Sequence, residues 1–122
     1  MKPSKSSREW PFRIKDILQA ISNIEQYTEN MTSSEFKKNK LVLDAVIRNF
    51  EIIGEASVHI PLAFRDAHPD VPWKQMVAMR NILIHEYFGV NLSTVWQTVR
   101  ERLPVLKQQL LTIDLKKNSS HT

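Results

Sequence analysis

Residues 33–60, SSEFKKNKLVLDAVIRNFEIIGEASVHI, decide the fold. Leu43, Val46, Ile47, Phe50, Ile53 and Val58 recur every three or four positions, which is one apolar stripe on a helix. Thr32 followed three residues later by Glu35 fits a capping box, in which hydroxyl and carboxylate satisfy the first free amides of a helix. A single rod from Ser33 to Ile60 is therefore expected, roughly 40 Å long at 1.5 Å per residue, and Pro61 stops it.

The same period runs outward in both directions. Ile14, Ile17, Leu18, Ile21 and Ile24 mark a helix from Trp10 to Thr28. PLAFRDAHPDVP, residues 61–72, carries three prolines and has room for a short helical turn at most. Beyond Pro72, WKQMVAMRNILIHEYF continues without a breaker to Gly89. Asn91 can cap a last helix striped by Leu92, Val95, Trp96, Val99, Leu103, Leu106, Leu110 and Ile113, which Pro104 kinks or splits. The expected fold class is all-α, an antiparallel up-and-down bundle of four to five helices. The 122 residues make one domain, with an ordered core of about 9–115 and basic polar tails at 1–8 and 116–122.

Composition narrows the function. Two isolated glycines, Gly54 and Gly89, leave no phosphate loop or dinucleotide fingerprint to be written, and the absence of cysteine removes thiolate chemistry and cysteine-ligated zinc. The formal charge of +4 is carried by Lys2, Lys5, Lys116 and Lys117, so the remaining body balances 13 bases against 13 acids and shows no nucleic-acid footprint by charge alone. With no apolar run of membrane length and a polar start, MKPSKSSREW, a cytoplasmic protein without membrane attachment is expected.

The third helix breaks the pattern. On a wheel at 100° per residue, Trp73, Met76, Val77 and Ile84 fall near Arg80 while Met79 and Ile82 lie opposite, so the helix is apolar nearly all round. That suits a dimer seam. Into it the sequence sets Arg80 and Tyr87 along one edge and Asn81 and His85 along another. An arginine in such surroundings is either paired, with Glu86 or a carboxylate of another helix, or open to a polar cleft. As a cleft, the set can work on RNA: the guanidinium holds phosphate, the imidazole moves protons, and the 2′-hydroxyl is the substrate's own nucleophile. Two-fold pairing of this helix brings two arginines and two histidines to one groove, supplying both base and acid.

RNILIHEY, Arg80 to Tyr87, resembles the signature of HEPN-domain ribonucleases, specifically the HepT-like toxins of prokaryotic toxin-antitoxin pairs. DILQAISNIEQY, AVIRNFEIIGEA, VPW and VWQTVRERLPVL resemble that group's other segments in the same order, over roughly residues 12–111. The resemblance implies a homodimeric, metal-independent endoribonuclease that needs no cofactor and acts as the toxin of a type VII-like system. Arg80, His85 and Asn81 are its catalytic residues and RNA its substrate. Tyr87 matches the tyrosine that an MntA-type nucleotidyltransferase partner modifies with AMP from ATP. Two other readings stand beside it: a non-catalytic subunit presenting a nucleotide or substrate to a nucleotidyltransferase, with Arg80 gripping phosphate, and a bare oligomer seam.

Other residues carry weaker patterns. Glu51, Glu55 and His59 recur every fourth position and can be written as a metal stripe or as a salt-bridged face, while His68 and His121 complete no ligand set. Glu55 can support Arg80, and Gly54 before it permits close helix approach. Trp10, Trp73 and Trp96 can stack bases, although Trp73 and Trp96 lie on packing stripes.

Overall fold

The computed structural model describes the backbone of residues 5–85 and 91–119 and the side chains of residues 10–83 and 91–113. Those residues form an all-α bundle without strands. Helix α1 spans Lys5–Thr28, starting before the expected Trp10 and containing Pro11, whose missing amide hydrogen removes one rung of the ladder. Its stripe of Ile14, Ile17, Ile21 and Ile24 is fully buried. Asn30, at φ 63°, turns the chain, a left-handed conformation that asparagine tolerates better than most residues.

The capping box forms as read: the Glu35 amide donates to Thr32 Oγ1 at 3.1 Å and the Thr32 amide to Glu35 Oε1 at 2.9 Å. The long rod does not. It divides into α2 (Ser33–Lys38) and α3 (Lys40–Val58) at Asn39, whose amide closes α2 on the Phe36 carbonyl while its side chain accepts from the Val42 amide at 3.0 Å. One asparagine thus ends one helix and caps the next. The break lets Phe36 turn into the core, fully buried with its ring 5.1 Å from Trp96.

After Pro61, a six-residue helix α4 (Leu62–Ala67) occupies the connector. Phe64 stacks on Trp10 with centroids 4.4 Å apart, and Trp73 donates its indole N–H to the His68 carbonyl at 2.9 Å. Trp10 and Trp73 are therefore packing residues rather than free stacking platforms.

Helix α5 (Trp73–His85) follows, then α6 (Leu92–Gln97), capped by Asn91 as expected. The expected last helix is divided just ahead of Pro104. A π-helical stretch, Thr98–Arg102, precedes α7 (Leu103–Ser119), and the Leu103 amide reaches back five residues to the Thr98 carbonyl. Widening the helix there makes room for a ring that otherwise presses on the carbonyl four residues earlier.

α3 lies between α1 and α5, and α7 packs against α1. Lys107 pairs with Glu25 at 2.9 Å, while Arg100 donates to the Thr28 and Met31 carbonyls at 2.8 Å each, so α7 runs antiparallel to α1. Across the α1–α3 seam, Asn23 donates to the buried Asn49 at 3.1 Å. Such a polar pair fixes register, since sliding either helix strands an amide in an apolar interior.

Candidate active site around Arg80

Helix α5 supplies the site's arginine, and α3 decides where it points. Gly54 faces the stem of Arg80 so closely that a Cβ there would overlap Arg80 Cβ, lie 2.8 Å from Arg80 Cγ and sit 2.9 Å from the Met76 carbonyl. Only a residue without a side chain fits. With the two backbones this near, the guanidinium emerges beside Glu55, the residue after Gly54, and Nη2 donates to Glu55 Oε2 at 2.7 Å. Its other arm, Nη1, donates to Asn81 Oδ1 at 2.9 Å. The arginine stem crosses the angle between neighbouring helix positions to make that bond.

The pair is not sealed. Arg80 keeps 29% of its side-chain surface and Glu55 49%, so at this exposure the ion pair contributes about 1 kcal/mol at most. Its effect is on geometry more than stability: both terminal nitrogens are held, each with a second N–H still to donate. Arg80 Nε is buried without a hydrogen-bond partner among the described residues.

Glu55 is shared. Its Oε1 meets His59 Nε2 at 3.3 Å. That bond first, and the nearby Arg80 charge second, hold the Glu55 carboxyl below the usual glutamate range, so it is ionised at neutral pH. The metal-stripe reading of Glu51, Glu55 and His59 gives way to this network, and no group of three metal-ligating side chains gathers among the described residues.

The expectation that α5 is apolar nearly all round needs correction for a single copy of the chain. Trp73, Met76 and Leu83 are buried, Val77 and Met79 are half-buried, and Lys74, Gln75, Ala78, Asn81 and Ile82 are exposed. Ile82 retains 48% of its surface.

The family model described as "Ribonuclease HepT-like" matches residues 17–113, most of the chain. The chain belongs to the HepT-like ribonuclease family. It is 47% identical over 94 residues to "Probable ribonuclease HepT" of Thermococcus cleftensis, covering 77% of this chain and 86% of that protein. It is 43% identical over 105 residues to "Putative RNase MJ1380" of Methanocaldococcus jannaschii, covering 86% and 96%. A third relative, "Gamma-glutamylcyclotransferase and putative RNase MJ0434" of the same organism, is 44% identical over 107 residues, 86% of this chain, which spans about half (48%) of that protein's length. No solved structure matches the chain.

Within this HepT-like chain, Arg80 and Asn81 are brought into direct contact. The backbone of His85 closes α5, but its side chain, and Tyr87 altogether, lie outside the described residues. Among the described residues the carboxylate that pairs with Arg80 is Glu55, on another helix, while Glu86 lies outside them. The signal for Glu55 was the Gly-Glu step: a glycine inside a helix marks a close crossing, and the next residue flanks it.

Proposed function

We propose that this chain is a metal-independent endoribonuclease that cleaves RNA by attack of the substrate's own 2′-hydroxyl. The observation that carries the reading is the Arg80 guanidinium, fixed by Glu55 and Asn81 yet still open to solvent, one helical turn and a fraction before position 85. An arginine so held meets a phosphodiester with its remaining N–H groups and offsets charge that builds on the phosphorane. His85 transfers the proton, since imidazole titrates near neutrality. Asn81 keeps the guanidinium oriented. The relatives named as ribonucleases give independent support.

In this reading the site is completed by a second copy of the chain. One imidazole cannot serve the attacking and the leaving oxygen from opposite sides, whereas a two-fold pair about α5 contributes two. The exposed face of α5, with Ile82 and Ala78 at its middle, suits such a seam. The protein acts as the toxin of a type VII-like pair, and an MntA-type nucleotidyltransferase silences it by placing AMP on Tyr87. That modification adds bulk and negative charge seven positions after Arg80 in the sequence, repelling RNA phosphate.

A second reading uses the same Arg80 guanidinium to grip phosphate in a subunit that performs no chemistry. Induced expression separates the two. Wild type should arrest growth and leave new cyclic-phosphate RNA ends, His85→Ala should do neither, and the partner should protect wild type but not Tyr87→Phe. Harmless expression of wild type, with Arg80→Ala weakening only the partner's activity, would establish the binding-subunit reading instead.

A further inference from the structure

His59 takes no part in the reading above, yet it is joined to the arginine through one carboxylate. Glu55 accepts from Arg80 on Oε2 at 2.7 Å and meets His59 Nε2 on Oε1 at 3.3 Å. Because Glu55 is ionised at neutral pH, it has no proton to give, so His59 is the donor and Nε2 carries the hydrogen. Glu55 lies in the last turn of α3 and His59, four residues on, is its C-cap, and both side chains are about half exposed. A half-exposed glutamate with one partner is free to rotate about its last torsion, which is broad for a carboxylate. With a partner on each oxygen, its plane is set.

We propose that His59 is a positioning residue of the Arg80 site: by holding Oε1 of Glu55 it fixes the direction of Oε2, and through it the orientation of the guanidinium. The inference rests on the ribonuclease reading for its consequence in catalysis, but not for its structural content. Three groups from two helices form one chain of hydrogen bonds, His59 to Glu55 and Arg80 to Glu55, with Asn81 as the stop at the far end of the guanidinium. His59 touches neither substrate nor the transferred proton. Its contribution is small per bond and appears as binding and alignment of phosphate on Arg80.

The test uses the full chain and two readouts. By nitrogen-15 NMR, the Arg80 guanidinium protons should exchange with solvent more slowly in wild type than in His59→Ala or Glu55→Ala, and His59→Gln, whose amide still donates to Glu55, should resemble wild type. In cleavage of single-stranded RNA, His59→Ala should lower kcat/KM about three- to five-fold, the size expected for an exposed charge-linked bond, with His59→Gln within about two-fold of wild type on the same scale. In a Glu55→Ala background the substitution of His59 should cost nothing more, because its effect passes through that carboxylate. Additive losses in the double variant, or exchange at Arg80 that ignores His59, would overturn the proposal. So would a His59→Gln variant as impaired as His59→Ala, which would mark His59 as a proton carrier. A wild type that leaves RNA intact while the exchange pattern holds would sink the ribonuclease reading and leave the positioning role standing.

Discussion

Gly54 shows how one residue type sets the chemistry of another. Alanine in a helix interior is favoured over glycine by about 1 kcal/mol, whereas forcing a methyl into a filled site costs about 1–3 kcal/mol. Here the methyl would collide with the Arg80 stem and the Met76 carbonyl, both part of an inter-helix contact, so the steric cost wins. Gly54→Ala should lower stability by up to about 2 kcal/mol on balance, seen as a lower urea midpoint, and should turn the guanidinium away from Glu55, reducing RNA cleavage more than unfolding explains. Arg80→Ala should reduce cleavage about 10²- to 10³-fold, as loss of one anion-stabilising donor does, while the partly exposed ion pair itself contributes about 1 kcal/mol at most to stability. Gly54 and Arg80 were both legible in the sequence, one as a close crossing and the other as a cation out of place among apolar neighbours. That they meet was not legible, because contact between residues 26 positions apart depends on how two helices cross, which periodicity does not encode.

At the scale of elements, the Thr32–Glu35 box opens α2 and Asn39 opens α3. Thr32→Ala should cost about 1 kcal/mol. The bonds from Thr32 hold the Glu35 carboxyl below its ordinary value. A carboxyl depressed in the folded state stabilises it above the ordinary glutamate value and loses that contribution as pH falls through the folded value. The melting-temperature advantage of wild type over Glu35→Gln should accordingly be full at neutral pH and vanish in the acid range; an advantage that grew on acidification would contradict the sign. The box was readable since its residues are three apart. The interruption at Asn39 was hidden because Phe36 and Leu43, seven apart, keep the apolar stripe in phase across the gap. Pro104 announced a disturbance, but a proline says only that a carbonyl is crowded and a bond lost. Whether the chain answers with a kink, a break or a π-turn depends on packing, here of Val99 and Leu103 in the core and Arg100 against Trp96 and the α1 terminus.

For the whole molecule, the central question is whether Arg80 works in one chain or in two. Ile82, nearly half exposed on the outer face of α5, is the residue to probe. If that face is the seam, Ile82→Glu should give a monomer by sedimentation, with helical content intact and cleavage lost together with association. A monomeric variant that cuts RNA at the wild-type rate would confine the site to a single chain. The all-α class, the bundle and the family were legible from stripes and ordered segments spread over most of the chain. The pairing of Arg80 with Glu55 was open in the sequence between several carboxylates, and only folding chose among them.

The most direct measurement is cleavage of a defined single-stranded RNA by purified protein in excess EDTA, with wild type and His85→Ala prepared side by side. Wild type should produce fragments ending in 2′,3′-cyclic phosphate, and His85→Ala should cut about 10²- to 10⁴-fold more slowly, the range for loss of a positioned proton-transfer group. Cleavage that needs a divalent metal, leaves other ends, or proceeds equally in His85→Ala would contradict the assignment of Arg80 and His85 to the chemistry.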